Sequence, residues 1–443
     1  MTEPHITSER SAIFRERRNR FIQAIGAGAI AIIPSAPVAV RSRDVEFPYH
    51  QDHDFYYLSG FDEPDAVLLF APGHPDGEYA MFVRPRDRER EIWTGRRAGV
   101  EGAVDVFGAD RAFRVDELDE VIPRYLRDAQ RIYYPLGANE RMNAKVIELM
   151  RACETTRERL GSGPTALLDP REIIHEHRLF KQPDELAAMR RAIAISADAH
   201  RRAMTTARGG AGEWEVQAEL EYVFRLRGAS GSAYPSIVAS GPNATILHYI
   251  HNDRRMERGE LLLIDAGCEY DFYASDITRT FPVAARFNAT QRALYELVLE
   301  AQLKAIKSIK PGVTFDVPHE TAVRVLVDGM RHLKLLDGST DELIGSAAYR
   351  RFYMHRTSHW LGMDVHDVGL YRVGGETRKL EPGMVLTVEP GIYICADDAE
   401  APAEMRGIGI RIEDDVLVTA DGYEVMSAEI PKRVEDVEAL TSG

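Results

Sequence analysis

Short apolar runs that end at an acidic residue mark the second half of this chain. Residues 259–265 contain one such run, which predicts a buried strand ending at Asp265. Residues 276–281 alternate between polar and apolar positions, which predicts a half-buried strand with Asp276 and Thr278 on one face. A buried carboxylate needs a cation or hydrogen-bond donors, so Asp265 requires a partner, and the two strands can bring Asp276 opposite it.

Two later segments repeat this pattern. Alternation over residues 384–389 places Glu389 at the end of a strand, where a Pro-Gly pair stops it. In residues 407–413 three isoleucines form the core face and leave Arg411 and Glu413 on the opposite face. Arg411 can neutralise or orient a neighbouring carboxylate. The recurrence of acids at strand ends is hard to ascribe to chance.

The hydrophobic pattern also divides the chain near residues 169–182. Before this point helical patterns alternate with short strand patterns, which predicts a small α/β domain over residues 1–175. Pro183 suits the first turn of a helix that runs to about Ala207. Further amphipathic helices are predicted at residues 213–227, 290–309 and 318–335. Residues 176–443 are therefore predicted as an α+β domain in which helices cover a curved antiparallel sheet.

Composition and charge restrict the classes of protein that fit this pattern. At 443 residues the chain is expected to form two or three domains. A net charge of −15 and an isoelectric point of about 5.5 argue against nucleic acid or an anionic membrane as a partner. No apolar run approaches the roughly 18 residues needed to cross a bilayer, and the N-terminal residues do not resemble a secretory signal. Three widely spaced cysteines favour a reducing compartment, and we expect a cytoplasmic protein.

The acids and one histidine share a common chemistry. Four carboxylates and an imidazole are a hard, oxygen-rich ligand set that is too anionic to occupy one pocket without cations. Two divalent metal ions would relieve the repulsion, and such a pair can activate a water molecule and polarise a carbonyl. The predicted metal ligands are Asp265, Asp276, His359, Glu389 and Glu413.

The histidines near residue 360 require separate weighing. His355 and His359 are four residues apart, a spacing that binds zinc when both lie on a helix. Arg356 follows His355, so the glutamate of an H-E-x-x-H protease motif is missing and that motif is excluded. A tight turn or strand fits better, with His359 reaching inward and His355 and His366 lining the approach. His248 is a further candidate to donate a proton or to contact a substrate carbonyl.

Passages around these residues resemble the metal-binding motifs of the pita-bread metallopeptidases. They are residues 264–282, 358–367, 380–391 and 409–414. Within that group the chain is most similar to the aminopeptidase P family, the Xaa-Pro aminopeptidases, because residues 49–64 and 91–97 resemble that family's first domain. The resemblance covers nearly the whole chain and implies a pita-bread fold for the C-terminal domain.

By this resemblance the five residues bind two divalent ions, most often manganese, and which ligand bridges them stays open. A metal-bound hydroxide would hydrolyse the bond between an N-terminal residue and a following proline. Glu389 would move the proton, and Arg411 would support the ligands. The resemblance places three further residues around the substrate, namely His248, His355 and His366.

The family also suggests a homo-oligomer, either a dimer or a tetramer. Trp93 would then cover the site of a neighbouring subunit, and the alternative is that Trp93 is an aromatic residue of a domain core.

Other functions stay open at this point. A prolidase, which cleaves only Xaa-Pro dipeptides, would share the same metal motifs, and the accepted length of the peptide would distinguish it. A non-catalytic binding module could reuse the fold, although its metal ligands would then serve no purpose.

Overall fold

The computed structural model describes residues 7–283 and 286–441, and the chain divides into two units between Glu176 and His177. Each unit has a hydrophobic core of its own. Among the described residues, no helix is both long enough and apolar enough to cross a membrane.

The first unit alternates helices and short strands. Its helices are α1 (Ser8–Ile25), α2 (His53–Ser59), α3 (Arg88–Thr94), α4 (Gly99–Asp105), α5 (Leu118–Leu126) and α6 (Glu140–Leu160), while α7 (Arg171–Leu179) contains the division between the units. Its strands are β1 (Ala29–Pro34), β2 (Val40–Ser42), β3 (Val45–Glu46), β4 (Val67–Phe70), β5 (Tyr79–Val83), β6 (Arg111–Arg114), β7 (Arg131–Tyr133) and β8 (Ala166–Leu168).

Six of these strands form one mixed sheet in the order β6-β5-β4-β1-β7-β8. The central strand β1 runs antiparallel to β4 and parallel to β7, so that Ala31 lies opposite both Phe70 and Tyr133. All six residues of β1 are buried, as expected for a strand covered on both faces. The prediction of a small α/β domain at the start of the chain is confirmed.

Trp93 lies on α3 and is 87% exposed, and its neighbour Ile92 is 81% exposed. A core aromatic would be buried. The interpretation of Trp93 as a residue of the domain core is therefore wrong.

The second unit combines longer helices with short antiparallel strands. Its helices are α8 (Pro183–Thr206), α9 (Glu213–Leu226), α10 (Ala289–Ser308), α11 (Val317–His332), α12 (Thr340–Gly345) and α13 (Val434–Thr441). Its strands are β9 (Gly231–Ser232), β10 (Ile237–Ser240), β11 (Leu261–Asp265), β12 (Cys268–Tyr270), β13 (Tyr273–Ala274), β14 (Thr278–Pro282), β15 (Arg372–Val373), β16 (Glu376–Thr377), β17 (Val385–Val388), β18 (Gly391–Ile394), β19 (Ile408–Arg411), β20 (Asp414–Val418) and β21 (Tyr423–Val425).

The strands of the second unit pair antiparallel in groups of two or three. The groups are β10-β11-β14, β13-β12-β9, β15-β16, β17-β20-β21 and β18-β19. Helices and strands share one core, in which Leu220 of α9, Val298 of α10 and Leu326 of α11 are fully buried together with Leu262 of β11 and Ile410 of β19. The predicted arrangement of helices over antiparallel strands is confirmed.

Helix α8 begins where the sequence predicts and ends close to the predicted residue. Pro183 is its first residue, where a missing N–H costs nothing. The Gln182 N–H donates to Glu185 Oε2 at 2.9 Å, which satisfies a donor at the helix start.

The four acids lie at strand ends, as predicted. Asp265 is the last residue of β11 and pairs with Thr278 at the start of β14, two residues after Asp276. Glu389 follows β17 directly, and Glu413 lies two residues beyond the end of β19. Asp265 thus lies within a strand ladder, and the other three acids lie within two residues of one.

Candidate metal centre and active site

The acids converge on one cavity of about 580 Å³ in the second unit. Asp265 and Asp276 are buried at its base, and Glu413 is only 2% exposed. All nine residues predicted for the site line this cavity. They are His248, Asp265, Asp276, His355, His359, His366, Glu389, Arg411 and Glu413.

Three of these side chains are close enough to hold one ion between them. Asp276, His359 and Glu413 each offer a ligand atom, and these atoms all lie within 4.8 Å of one another. His359 Nε2 is 3.3 Å from Asp276 Oδ2 and 3.5 Å from Glu389 Oε1. The imidazole therefore lies between two of the predicted carboxylate ligands.

His359 is held by pairing of its backbone rather than by a helix. Its N–H donates to Thr387 Oγ1 at 3.1 Å, and its carbonyl accepts from the Thr387 N–H at 3.0 Å. The next residue, Trp360, pairs with Leu386 of β17. This backbone pairing with β17 agrees with the expectation that His359 lies in a tight turn or strand rather than on a helix.

Arg411 donates hydrogen bonds to several side chains around the acids. Its Nη2 donates to Asp265 Oδ2 at 2.6 Å, and its Nη1 donates to the Tyr393 hydroxyl at 2.9 Å. Its Nε donates to Thr278 Oγ1 at 3.1 Å, while that hydroxyl donates to Glu413 Oε2 at 2.6 Å. One guanidinium thus orients two of the acids, one directly and one through Thr278.

The electrostatics of the base favour cations. Burial raises the pKa of Asp265 and of Glu413, and it raises that of Glu389 to about 7. Burial lowers the pKa of His359, but its hydrogen bond to Asp276 and the charge of Glu389 outweigh this and raise it to about 9. The raised pKa values of His359 and of these three acids indicate that the pocket lacks positive charge. Divalent ions bound by these hard ligands would supply it.

The other histidines have a different character. His355 Nε2 lies 2.8 Å from the Tyr393 hydroxyl, and burial lowers the pKa of His355 to about 3. The ring of His366 lies 4.4 Å from that of His359, and burial and this neighbour lower the pKa of His366. His248 reaches the cavity from an exposed turn. All three imidazoles can donate or accept hydrogen bonds around a substrate.

Comparison with protein families decides the identity of this arrangement. Residues 187–420 match the model of metallopeptidase family M24, and residues 14–133 match the model of the aminopeptidase P N-terminal domain. The chain belongs to metallopeptidase family M24. It is 43% identical over 432 residues to the Xaa-Pro aminopeptidase of Escherichia coli, a match that spans 96% of this chain and 97% of that relative.

Solved structures agree with this M24 assignment. Aminopeptidase PepP of Pseudomonas aeruginosa superposes with a TM-score of 0.95 at 49% identity, over 98% of both chains. The zinc-substituted aminopeptidase P of Escherichia coli in complex with product superposes with a TM-score of 0.93 at 42% identity, over 99% of this chain and 98% of that one.

Family M24 membership confirms several expectations. The resemblance to aminopeptidase P, the pita-bread fold of the second domain and the class of metal-dependent hydrolase are all confirmed. The relatives over nearly the full length are named Xaa-Pro aminopeptidases, which favours the aminopeptidase interpretation over prolidase.

Sequence reasoning missed two residues that contact the predicted metal ligands, Tyr234 and Asp415. The Tyr234 hydroxyl lies 2.7 Å from Asp265 Oδ1 and 2.6 Å from Asp276 Oδ1. The Asp276 N–H donates to Asp415 Oδ2 at 3.2 Å. Pairing of Ile237 with Asp265 brings Tyr234 to the acids, so a correct pairing of β10 with β11 was the signal that could have found it.

A buried ion cluster supports the segment after His359. Asp367 accepts from Lys181 Nζ at 2.8 Å and from Arg178 Nη2 at 2.7 Å, and all three side chains are almost completely buried. Asp367 follows His366 directly, and its N–H donates to the Trp360 carbonyl at 2.9 Å. Sequence patterns gave no sign of this cluster, because Arg178 and Lys181 are distant from Asp367 in the sequence.

Proposed function

We propose that this protein is an Xaa-Pro aminopeptidase, which hydrolyses the bond between the N-terminal residue of a peptide and a following proline. One observation carries the proposal. Four carboxylates and His359 converge at the base of a cavity, in a chain whose full-length relatives are named Xaa-Pro aminopeptidases. The substrates are accordingly peptides with proline at the second position.

The metal centre would use the five predicted ligands. Asp265, Asp276, His359, Glu389 and Glu413 would hold two divalent ions, and the hard donor set favours manganese. When bound, the ions would lower the pKa of a water molecule and polarise the scissile carbonyl. The raised pKa of His359 and of Glu413 supports this assignment, since it indicates a site that lacks positive charge and is suited to cations.

Residues of the chain would then manage protons and hydrogen bonds. Glu389 would take the proton from the attacking water at its carboxylate and deliver it to the proline nitrogen. His248 and His366 would donate hydrogen bonds to the carbonyl oxygen as negative charge develops on it. Arg411 would hold Asp265 in place, and His355, which bonds to Tyr393, would line the substrate path.

Selection of proline has a physical basis in the substrate amide. The nitrogen of a bond before proline carries no N–H, so a site that relied on a donor there would lose a contact. An apolar part of the cavity wall, which includes Leu247, Phe315 and Tyr371, is suited to a proline ring.

Three finer assignments belong to the proposal. The protein would form a homo-oligomer, a dimer or a tetramer, and the exposed Trp93 is a candidate contact residue. A cytoplasmic location is supported by Cys153, Cys268 and Cys395, which are all free thiols. The domains would span residues 1–175 and 176–443, close to the division between the two units.

The function is tested with three matched peptides and the manganese-loaded protein. Xaa-Pro-Yaa, Xaa-Pro and Xaa-Ala-Yaa peptides are incubated separately, and the products are identified by mass. We expect release of the first residue from Xaa-Pro-Yaa and little cleavage of Xaa-Ala-Yaa. Cleavage of the Xaa-Pro dipeptide alone would identify a prolidase and contradict the proposal.

A further inference from the structure

His248 lines the cavity from a turn that follows a short 3-10 helix, Gly241–Thr245. The turn that contains it lies between β10 and β11, and the residue itself is exposed. Its ring makes no hydrogen bond to any other residue in the described part of the chain. The backbone of its segment, residues 240–254, therefore sets the part of the cavity that the imidazole can reach.

The buried carboxylate of Glu213 accepts hydrogen bonds from several residues of this segment. Glu213, the first residue of α9, is 0% exposed and accepts hydrogen bonds through both oxygens. Oε1 accepts from the N–H and the hydroxyl of Ser240, each at 2.7 Å, and from Asn243 Nδ2 at 3.1 Å. Oε2 accepts from the Tyr249 hydroxyl at 2.8 Å and from the Arg254 N–H at 2.9 Å.

The donors are placed where they control the segment. Ser240 and Arg254 are its two ends, and Tyr249 is the chain neighbour of His248. Arg254 also donates from Nη1 to Ser240 Oγ at 2.9 Å, which closes the base of the segment. A buried carboxylate with five donors is strongly held in place, because each bond involves a charged acceptor.

We propose that Glu213 is a positioning residue that aims His248 at the substrate carbonyl. Glu213 does not line the cavity, so it acts through the 240–254 segment and touches no substrate. The inference rests on the proposed function, in which His248 contacts the carbonyl during Xaa-Pro cleavage. It adds a residue outside the cavity on which that contact depends.

The first test is a double-mutant cycle with Glu213→Gln and His248→Ala. The amide of glutamine presents an N–H where Tyr249 or Arg254 needs an acceptor, so the segment should shift. We expect Glu213→Gln to lower kcat/KM for an Xaa-Pro-Yaa peptide by about 10–100-fold with unchanged metal content. In the His248→Ala background the same substitution should change kcat/KM by less than about twofold.

The matched control is Glu219→Gln on the same helix, where the carboxylate pairs with Arg202 at the surface. It should leave kcat/KM unchanged. If Glu213→Gln lowers activity equally in both backgrounds, or if His248→Ala is fully active, the positioning role is overturned.

A second pair of measurements keeps the proposal testable if Glu213→Gln folds poorly or if the protein cleaves no peptide. Tyr249→Phe removes one bond to Glu213 together with the contacts of the same hydroxyl to Asp253, and it should show the same dependence on His248. The ¹H–¹³C NMR signal of the His248 ring, assigned from its loss in His248→Ala, should move in Glu213→Gln and Tyr249→Phe and stay fixed in Glu219→Gln. An unmoved signal overturns the positioning role, whereas absence of peptide cleavage by the unmodified protein overturns the function alone.

Discussion

The acids at the base of the cavity and the histidines around it are held in two different ways. Asp265 ends a strand, and the Glu413 N–H donates to the carbonyl of Thr278, so backbone ladders fix the acids. His248 and His366 lie on irregular segments whose supports are buried charges rather than strands. We therefore expect single substitutions outside the cavity to move His248 or His366 more readily than the acids.

The largest expected effect comes from removing one acid at the base. Asp276→Asn keeps the shape of the side chain but removes the charge of a predicted ligand. We expect it to lower kcat/KM by at least about 10⁴-fold, which corresponds to about 5.5 kcal/mol. Peptide cleavage followed by mass, together with elemental analysis of bound metal, checks this expectation.

The control for Asp276→Asn is Glu300→Gln, which removes a carboxylate from a surface pair with Lys304 on α10. Exposed pairs of this kind contribute little, so metal content and activity should not change. Normal metal content and activity in Asp276→Asn would contradict the assignment of the acids as the metal centre.

Among the residues that support the histidines, Asp367 is expected to have the largest effect on stability when it is substituted. Asp367→Asn leaves the charges of Lys181 and Arg178 without their shared buried partner. Breaking a buried ion pair on one side costs about 3 kcal/mol or more, so the free energy of unfolding should fall by about that amount. Urea denaturation of the metal-free protein measures it, and the control Glu424→Gln removes an exposed partner of Arg190. Equal midpoints for the two variants would contradict a supporting role for the cluster.

A third prediction concerns pH and metal removal. The pKa of Glu389 is raised from its ordinary 4.5 to about 7, so the metal-free protein holds that proton more tightly than the unfolded chain does. The contribution of Glu389 to stability is therefore present below pH 4.5 and lost as the pH rises through 7. Metal ions need the deprotonated acids, so metal binding strengthens over the same range.

We expect the stabilisation by added manganese to be larger at pH 8 than at pH 5, by about 2 kcal/mol. Thermal unfolding of the manganese-loaded and the chelator-treated protein at both pH values measures it. A metal-dependent shift in Tm of the same size at both pH values would contradict the prediction.

The difference between the acids and the histidines also explains how much of the site could be predicted from the sequence. Strand alternation found Asp276, Glu389 and Glu413, because the period of two assigns each residue to a face, and a short apolar run found Asp265 at the end of β11. Local sequence context singled out the histidines, and the family resemblance gave them roles. None of these could find Tyr234 or Glu213, since the pairing of β10 with β11 brings Tyr234 to the acids and the packing of α9 brings Glu213 to the segment that carries His248. Hydrophobic periodicity in a sequence shows on which face of a strand or helix a residue lies. It carries no information about contacts between residues that only tertiary packing brings together.

The smallest predicted effect tests whether hydrogen bonds behind the acids tune the metal centre. Thr278→Val keeps the volume of the side chain but removes the hydroxyl that donates to Glu413 and accepts from Arg411. Loss of a bond to a charged group costs about 1.5 kcal/mol, so manganese affinity should fall by about tenfold while the fold is retained. Isothermal titration of the metal-free protein measures the affinity, with Thr205→Val, at an exposed site on α8, as the control. An affinity equal to that of the control would mean that the strand ladder alone orients Glu413, and that the acids need no side-chain support of the kind the histidines require.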